Sequence, residues 1–233
     1  MPAFRFKQFS VAHDKCAMKV GTDGVLIGAW ANHSNPLSIL DIGAGSGLIS
    51  FMMAQRFPKA IITGIDLDDD AIIQANENLI TNSWKDRIKF QKLDLVNLTS
   101  TSYDLIVSNP PFYNGTNMSG NTQRDLARQN SSLPTALLFK KVAEFLSTEG
   151  VFCCILPAEI AATYEVEAKK HGLFIQKELF VKGNPTKEPK RILIQFGREV
   201  QKKRTDNLII ETDKRHEYTE QYLSLINEFY LFA

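Results

Sequence analysis

The sequence is sparing with the features that would set it apart from ordinary globular proteins. Its 233 residues hold three cysteines, Cys16 and the adjacent pair Cys153 and Cys154. That number and spacing exclude a disulfide framework and a cysteine-ligated metal. Cys153 and Cys154 sit in an apolar run, where they are expected to behave as small buried hydrophobes. No apolar run approaches the ~18 residues that span a bilayer. Residues 1–10 alternate aromatic and polar side chains and lack the apolar core of a secretory leader. Internal repeats and low-complexity linkers are missing too, so one domain is expected over residues 1–233. Within it, residues 1–37 should cover the site, 38–198 form the core, and 199–233 add a strand and a helix. The expectation is a cytoplasmic monomer with no membrane anchor and no metal.

An excess of one charge sign is also missing, since 27 basic and 26 acidic residues leave a net charge of only +1, but the distribution is uneven. Residues 182–204 contain eight basic side chains (Lys182, Lys187, Lys190, Arg191, Arg198, Lys202, Lys203 and Arg204) against Glu188 and Glu199. Such local basicity attracts phosphate. It equally suits a strand edge defended by lysines.

What is present is an alternation of short apolar strands with helical patterns. Strands are expected at 38–42, 60–66, 88–91, 103–108 and 150–156, with helices at 48–57, 68–82, 134–146 and 160–171. Gly172 closes the last of these helices, and Pro134 lies in the first turn of its helix. Alternation of this kind means an α/β fold, a parallel sheet with helices on both faces. The ending differs: 173–182 and 191–197 are separated by a loop too short for a helical crossover, so they should pair antiparallel. A Rossmann-like, seven-stranded, mostly parallel sheet ending in a reversed hairpin is the arrangement of the class I methyltransferases.

The first core strand runs into Asp41-Ile42-Gly43-Ala44-Gly45-Ser46-Gly47. Glycines there permit a tight turn and close ligand approach. The following helix start offers free N–H groups to a carboxylate. A nicotinamide fingerprint needs G-x-G-x-x-G; the third glycine here is Gly47, which makes the spacing the methyltransferase G-x-G-x-G. Asp66 ends the second strand, where it suits ribose hydroxyls, while Asp68 is better placed as a helix cap. Asp94 follows the third strand and suits an adenine amino group; a plain turn aspartate is the alternative. Thr22 and Asp23, in Gly21-Thr22-Asp23-Gly24, could close over the amino-acid end of the cofactor or simply open a helix. The cofactor set is therefore Thr22, Asp23, Asp41, Gly43, Gly45, Gly47, Asp66, Asp94 and Asn109, and the cofactor S-adenosyl-L-methionine, leaving as S-adenosyl-L-homocysteine.

Strand 103–108 delivers Asn109-Pro110-Pro111-Phe112. Two prolines stiffen the backbone and remove two donors. That leaves the Asn109 side-chain oxygen and the Pro110 carbonyl as acceptors for an amine conjugated to a ring or carbonyl. Two such bonds hold the nitrogen toward pyramidal geometry and aim its lone pair. Phe112 would stack on a planar substrate, worth on the order of 1–3 kcal/mol per base. A rigid turn with a buried Phe112 is the alternative. Asn109, Pro110 and Phe112 are thus the catalytic candidates, and Pro111, Tyr113, Arg124, Arg128, Lys190 and Arg191 the substrate contacts.

These motifs, with Phe4-Arg5-Phe6-Lys7-Gln8-Phe9, the stretch from Lys19 to Trp30 and the terminal Phe229-Tyr230-Leu231, resemble those of the bacterial tRNA1(Val) adenine-N6 methyltransferases. The resemblance runs almost from end to end and implies methylation of N6 of adenosine 37, on the 3′ side of the anticodon of a valine tRNA. Two rivals share an N-P-P loop. Protein glutamine-N5 methyltransferases have an added N-terminal domain and usually Tyr after the prolines. Guanine-N2 ribosomal RNA methyltransferases are longer tandem proteins. A cofactor-binding module without catalysis would not require the amine-directed loop.

Overall fold

The computed structural model describes residues 3–99, 102–111 and 133–232. Its main sheet has eight strands among the described residues, in the order β10-β8-β9-β7-β6-β3-β4-β5. These are β3 Ser38–Ile42, β4 Ile61–Asp66, β5 Ile88–Lys92, β6 Tyr103–Ser108, β7 Leu146–Pro157, β8 Phe174–Lys182, β9 Arg191–Gly197 and β10 Arg204–Ile209. Only β9 runs against its neighbours; β10 returns parallel to β8. The expected hairpin is therefore present, and the sheet gains one strand beyond the seven, supplied by the extension. A separate two-stranded ribbon joins β1 Phe4–Arg5 to β2 Ser10–Val11.

Strand alternation divides the core into two layers. Ile39, Leu105, Val107, Cys153 and Ile155 face helices α1 Thr22–Trp30, α2 Leu48–Arg56 and α6 Glu220–Ile226. Leu40, Ile106, Phe152, Cys154 and Leu156 face α4 Thr135–Phe145 and α5 Ala161–Lys170. Helix α3 Asp69–Ile80 contributes Ala75 to the first layer. Adjacent Cys153 and Cys154 thus point to opposite faces, each fully buried, which fits inert hydrophobes. Burial pushes the Cys153 thiol up to about 12.

Boundaries follow local chemistry. Pro134 is the N-cap of α4, one position before the expected first turn. Gly172 closes α5 at φ 70°, with its N–H donated to Lys169 O. The closing helix is short: the Thr219 side chain caps it by accepting from Tyr222 N, and it ends at Ile226. No helix among the described residues is long and apolar enough to cross a membrane.

Because every strand except β9 runs the same way, one edge of the sheet collects the carboxyl ends of seven strands and the start of β9. The glycine loop, Asp66 and Asn109 lie at that edge.

Candidate active site

The glycine loop turns off β3 at that edge. Gly43, Gly45 and Gly47 hold φ of 76°, 54° and 86°, which side chains other than glycine rarely adopt. A Cβ at Gly43 or Gly45 would meet nothing within 4 Å, so the loop presents open backbone to a ligand. Gly47 instead makes room for packing, since a Cβ there would stand 2.7 Å from Phe90. The N–H groups of Gly43 and Ala44 donate to Ile65 O at 2.9 and 3.0 Å, and Gly47 N to Ala44 O. Helix α2 then starts without a side-chain cap, leaving its first N–H groups for an anion.

Acidic side chains line the same half of the edge. Asp66 Oδ2 accepts from Gly45 N at 2.8 Å and Oδ1 from Asp68 N at 3.0 Å. It thereby ties the glycine loop to the start of the next helix. Asp68 caps α3 through Asp70 N, as its placement suggested. Asp94 accepts from Val96 N at 3.0 Å, the turn geometry, with its other oxygen unengaged by that bond. Asp41 is fully buried. Ser50 Oγ donates to its Oδ2 at 2.7 Å, while Oδ1 has no partner among the described residues. Burial raises its carboxyl to about 7, despite the Ser50 bonds that oppose the rise.

Beside this loop lies the end of β6. Ser108 pairs in register with Ile42 and donates its Oγ to Ile42 O at 2.8 Å. Asn109 and Gly43 therefore leave adjacent strands, about 5 Å apart. Asn109 is half-buried, and its Oδ1 is buried without a hydrogen-bond donor among the described residues. Pro110 is buried and Pro111 exposed. Phe112, Tyr113, Arg124 and Arg128 lie outside the described residues.

Asp23 and Arg191 meet each other. Arg191 Nε donates to Asp23 Oδ2 at 2.8 Å, bridging 168 positions between α1 and the first residue of β9. Thr22, which opens α1, is exposed, as is Lys190. Both ends of the bridge are at the carboxyl edge, since Arg191 pairs with Pro157 at the end of β7.

One set of contacts was not visible in the sequence. Gln74, Asn78 and Asn82, at spacings of four along and just past α3, are buried amides that hold the N-terminal segment. Asn78 accepts from Ala12 N and donates to Ala12 O and Ser46 O, joining that segment to the glycine loop. Gln74 accepts from Lys15 N. Cys16 is buried near enough to Asp66 and Asp68 that their charges add to desolvation in raising its thiol to about 11. The i, i+4, i+8 amide spacing was the available signal.

Residues 24–135 match the Methyltransferase small domain family. A tRNA1(Val) (adenine(37)-N6)-methyltransferase from Phocaeicola vulgatus is 46% identical over 99% of this chain and 98% of its own. One from Flavobacterium psychrophilum is 45% identical over 98% and 99%. Among solved structures, a predicted O-methyltransferase from Agrobacterium tumefaciens superposes with a TM-score of 0.66 at 17% identity, covering 89% of this chain and 96% of that one. That likeness speaks for the fold alone.

Proposed function

The chain belongs to the tRNA1(Val) (adenine(37)-N6)-methyltransferase family, and from that premise we propose that it methylates N6 of adenosine 37 in a valine tRNA, using S-adenosylmethionine. We read residues 1–233 as one domain acting as a cytoplasmic monomer. Family membership does not favour the guanine or glutamine readings.

The residues fit the cofactor. Open backbone over Gly43 and Gly45 admits a ligand, in a conformation that residues with a Cβ rarely adopt. The uncapped start of α2 suits the carboxylate of an amino acid. Asp41 Oδ1 is a buried acceptor without a donor among the described residues, and in our reading Asp66 serves the ribose hydroxyls and Asp94 an adenine amino group. Thr22 and Asp23 would close over the amino-acid end of the cofactor, with Asp23 held by Arg191. When bound, the cofactor supplies an electrophilic methyl carried on a sulfonium.

What the chain itself contributes is presentation of the amine. An adenine N6 has its lone pair delocalised into the ring and is a poor nucleophile. Asn109 Oδ1 and Pro110 O accept its two hydrogens, draw the nitrogen toward pyramidal geometry and direct the lone pair. After transfer the nitrogen is cationic and acidic, and its proton passes to solvent without a dedicated carboxylate base. Phe112 stacks on the base, with Pro111 and Tyr113 beside it, and Arg124 and Arg128 contact the backbone.

The observation that carries this reading is the orphaned Asn109 oxygen beside the glycine loop. Its test is incubation of the protein with labelled S-adenosylmethionine and unmodified valine tRNA, and in a parallel reaction with a peptide release factor, followed by mass spectrometry of position-mapped nucleosides and of the peptide. N6-methyladenosine at position 37 is expected. Label in guanosine, or in a release-factor glutamine and not in tRNA, would overturn it.

A further inference from the structure

The basic run at residues 182–204 is one stretch of sequence and two surfaces of the molecule. Strand β9 lies in its middle, and seven residues of strand separate its ends by about 20 Å. Arg198, Lys202, Lys203 and Arg204 fall at the edge opposite the site. Three of these four are engaged: Arg198 donates to Ala143 O and Leu146 O, Lys203 pairs with Glu178, and Arg204 with Asp206. Lys182, Lys187, Lys190 and Arg191 fall at the catalytic edge, on the β8–β9 hairpin. Of these, Arg191 is committed to Asp23. The other three make no ion pair among the described residues, and Lys187 and Lys190 are exposed.

The hairpin that carries them is firmly mounted. Lys190 N donates to Val181 O at 3.0 Å, and Lys190 O accepts from Ala158 N. Within the turn, Lys187 N donates to Asn184 O and Thr186 Oγ1 to Asn184 Oδ1. Its bases, β9 and β8, are two and three strands from β6, so they stand about 10 and 14 Å along the edge from Asn109. On the other side of Asn109 the edge is acidic: Asp66, Asp68, Asp69, Asp70 and Asp94, with Lys92 already paired to Asp69. A polyanion reaching Asn109 is repelled from the cofactor side and attracted to the hairpin.

We propose that the β8–β9 hairpin, through Lys182, Lys187 and Lys190, is the surface on which the RNA backbone flanking the target base is seated, and that the basic residues at the opposite edge take no part. This rests on an RNA substrate, and the experiment separates the two claims. Binding of the full-length protein to the tRNA transcript is titrated between about 50 and 200 mM salt for the wild type, for the triple variant Lys182→Glu, Lys187→Glu, Lys190→Glu, and for Lys202→Glu. Methyl transfer is measured in parallel. The triple variant should bind at least about tenfold more weakly, and its log–log salt slope should fall by about 2, because up to three phosphate contacts are lost. Lys202→Glu should behave as wild type. Melting temperature and cofactor affinity should be common to all three proteins, since these lysine side chains hold no other element among the described residues. An unchanged slope in the triple variant, or an equal loss in Lys202→Glu, overturns the surface. Wild-type binding with this contrast but no methylation of the tRNA leaves the surface standing and removes the proposed reaction.

Discussion

Two buried oxygens at the site, Asp41 Oδ1 and Asn109 Oδ1, have no donor among the described residues. Each has a measurable consequence. Burial lifts the Asp41 carboxyl to about 7 from its ordinary 3.8, so the folded state holds that proton more firmly than the unfolded chain. Below about pH 4 both states are protonated and the group costs nothing. From there to about 7 the unfolded chain ionises first, so stability declines with rising pH and levels off above that range. Asp41→Asn should remove this component: the difference in melting temperature between variant and wild type should grow from about pH 4 to 7 in cofactor-free protein. A constant difference would mean that Asp41 ionises as an ordinary surface acid. For Asn109 the consequence is kinetic. Asn109→Ala should lower kcat by about 10²–10³, the usual effect of losing one preorganised polar contact, while cofactor affinity measured by calorimetry falls by far less. A variant with unchanged turnover would take Asn109 out of the catalytic machinery.

At the level of elements, α1 reaches α2 through two glycines one turn apart. A Cβ at Gly24 would stand 2.9 Å from Leu48, and one at Gly28 only 2.4 Å from Met52 Sδ. The helices therefore meet with Leu48 and Met52, themselves four apart, seated over the glycines. Gly28→Ala should cost about 1–3 kcal/mol in urea unfolding, the range for overpacking. Pairing it with Met52→Ala should recover part of that loss; strict additivity would show that the two residues do not press on each other. The elements themselves were largely legible. Apolar periodicity located β3 to β9 and α2 to α5 within a few residues, because each buries a regular face. The fourth-residue spacing of Gly24 and Gly28 carried no such signal, since it becomes meaningful only against Leu48 and Met52. Strand β10 was placed only loosely because Arg204-Thr205-Asp206-Asn207 is polar, as an exposed edge strand tolerates. The basic run was misleading for a related reason: charge is read along the chain, whereas which edge it reaches depends on the direction of β9. The glycine loop and Asn109 were legible because their chemistry is local to one strand end.

Across the whole molecule the two ends of the chain support each other. Phe6 stacks on Phe9 at 4.5 Å, and Tyr230 packs on both Phe4 and Phe6. Lys7 N donates to Phe229 O at 2.8 Å, and Phe229 is 1% exposed. The N-terminal segment then runs along α3, where Asn78 joins Ala12 to Ser46 of the glycine loop. Packing at the far end of the chain is thus linked, through a few buried contacts, to the backbone proposed to hold the cofactor. Phe229→Ala should cost about 3–5 kcal/mol, as for a large aromatic removed from a core. It should also open residues 3–20 to protease before the sheet unfolds, because that segment depends on few contacts besides the aromatic cluster and the α3 amides. If the segment is a wall of the cofactor site, cofactor affinity should fall along with this local opening, and saturating cofactor should restore protection by mass action. Protease sensitivity with cofactor affinity intact would confine the segment to a structural role. Asn78→Ala separates the two effects, since it breaks the tie to Ser46 and leaves the aromatic cluster in place.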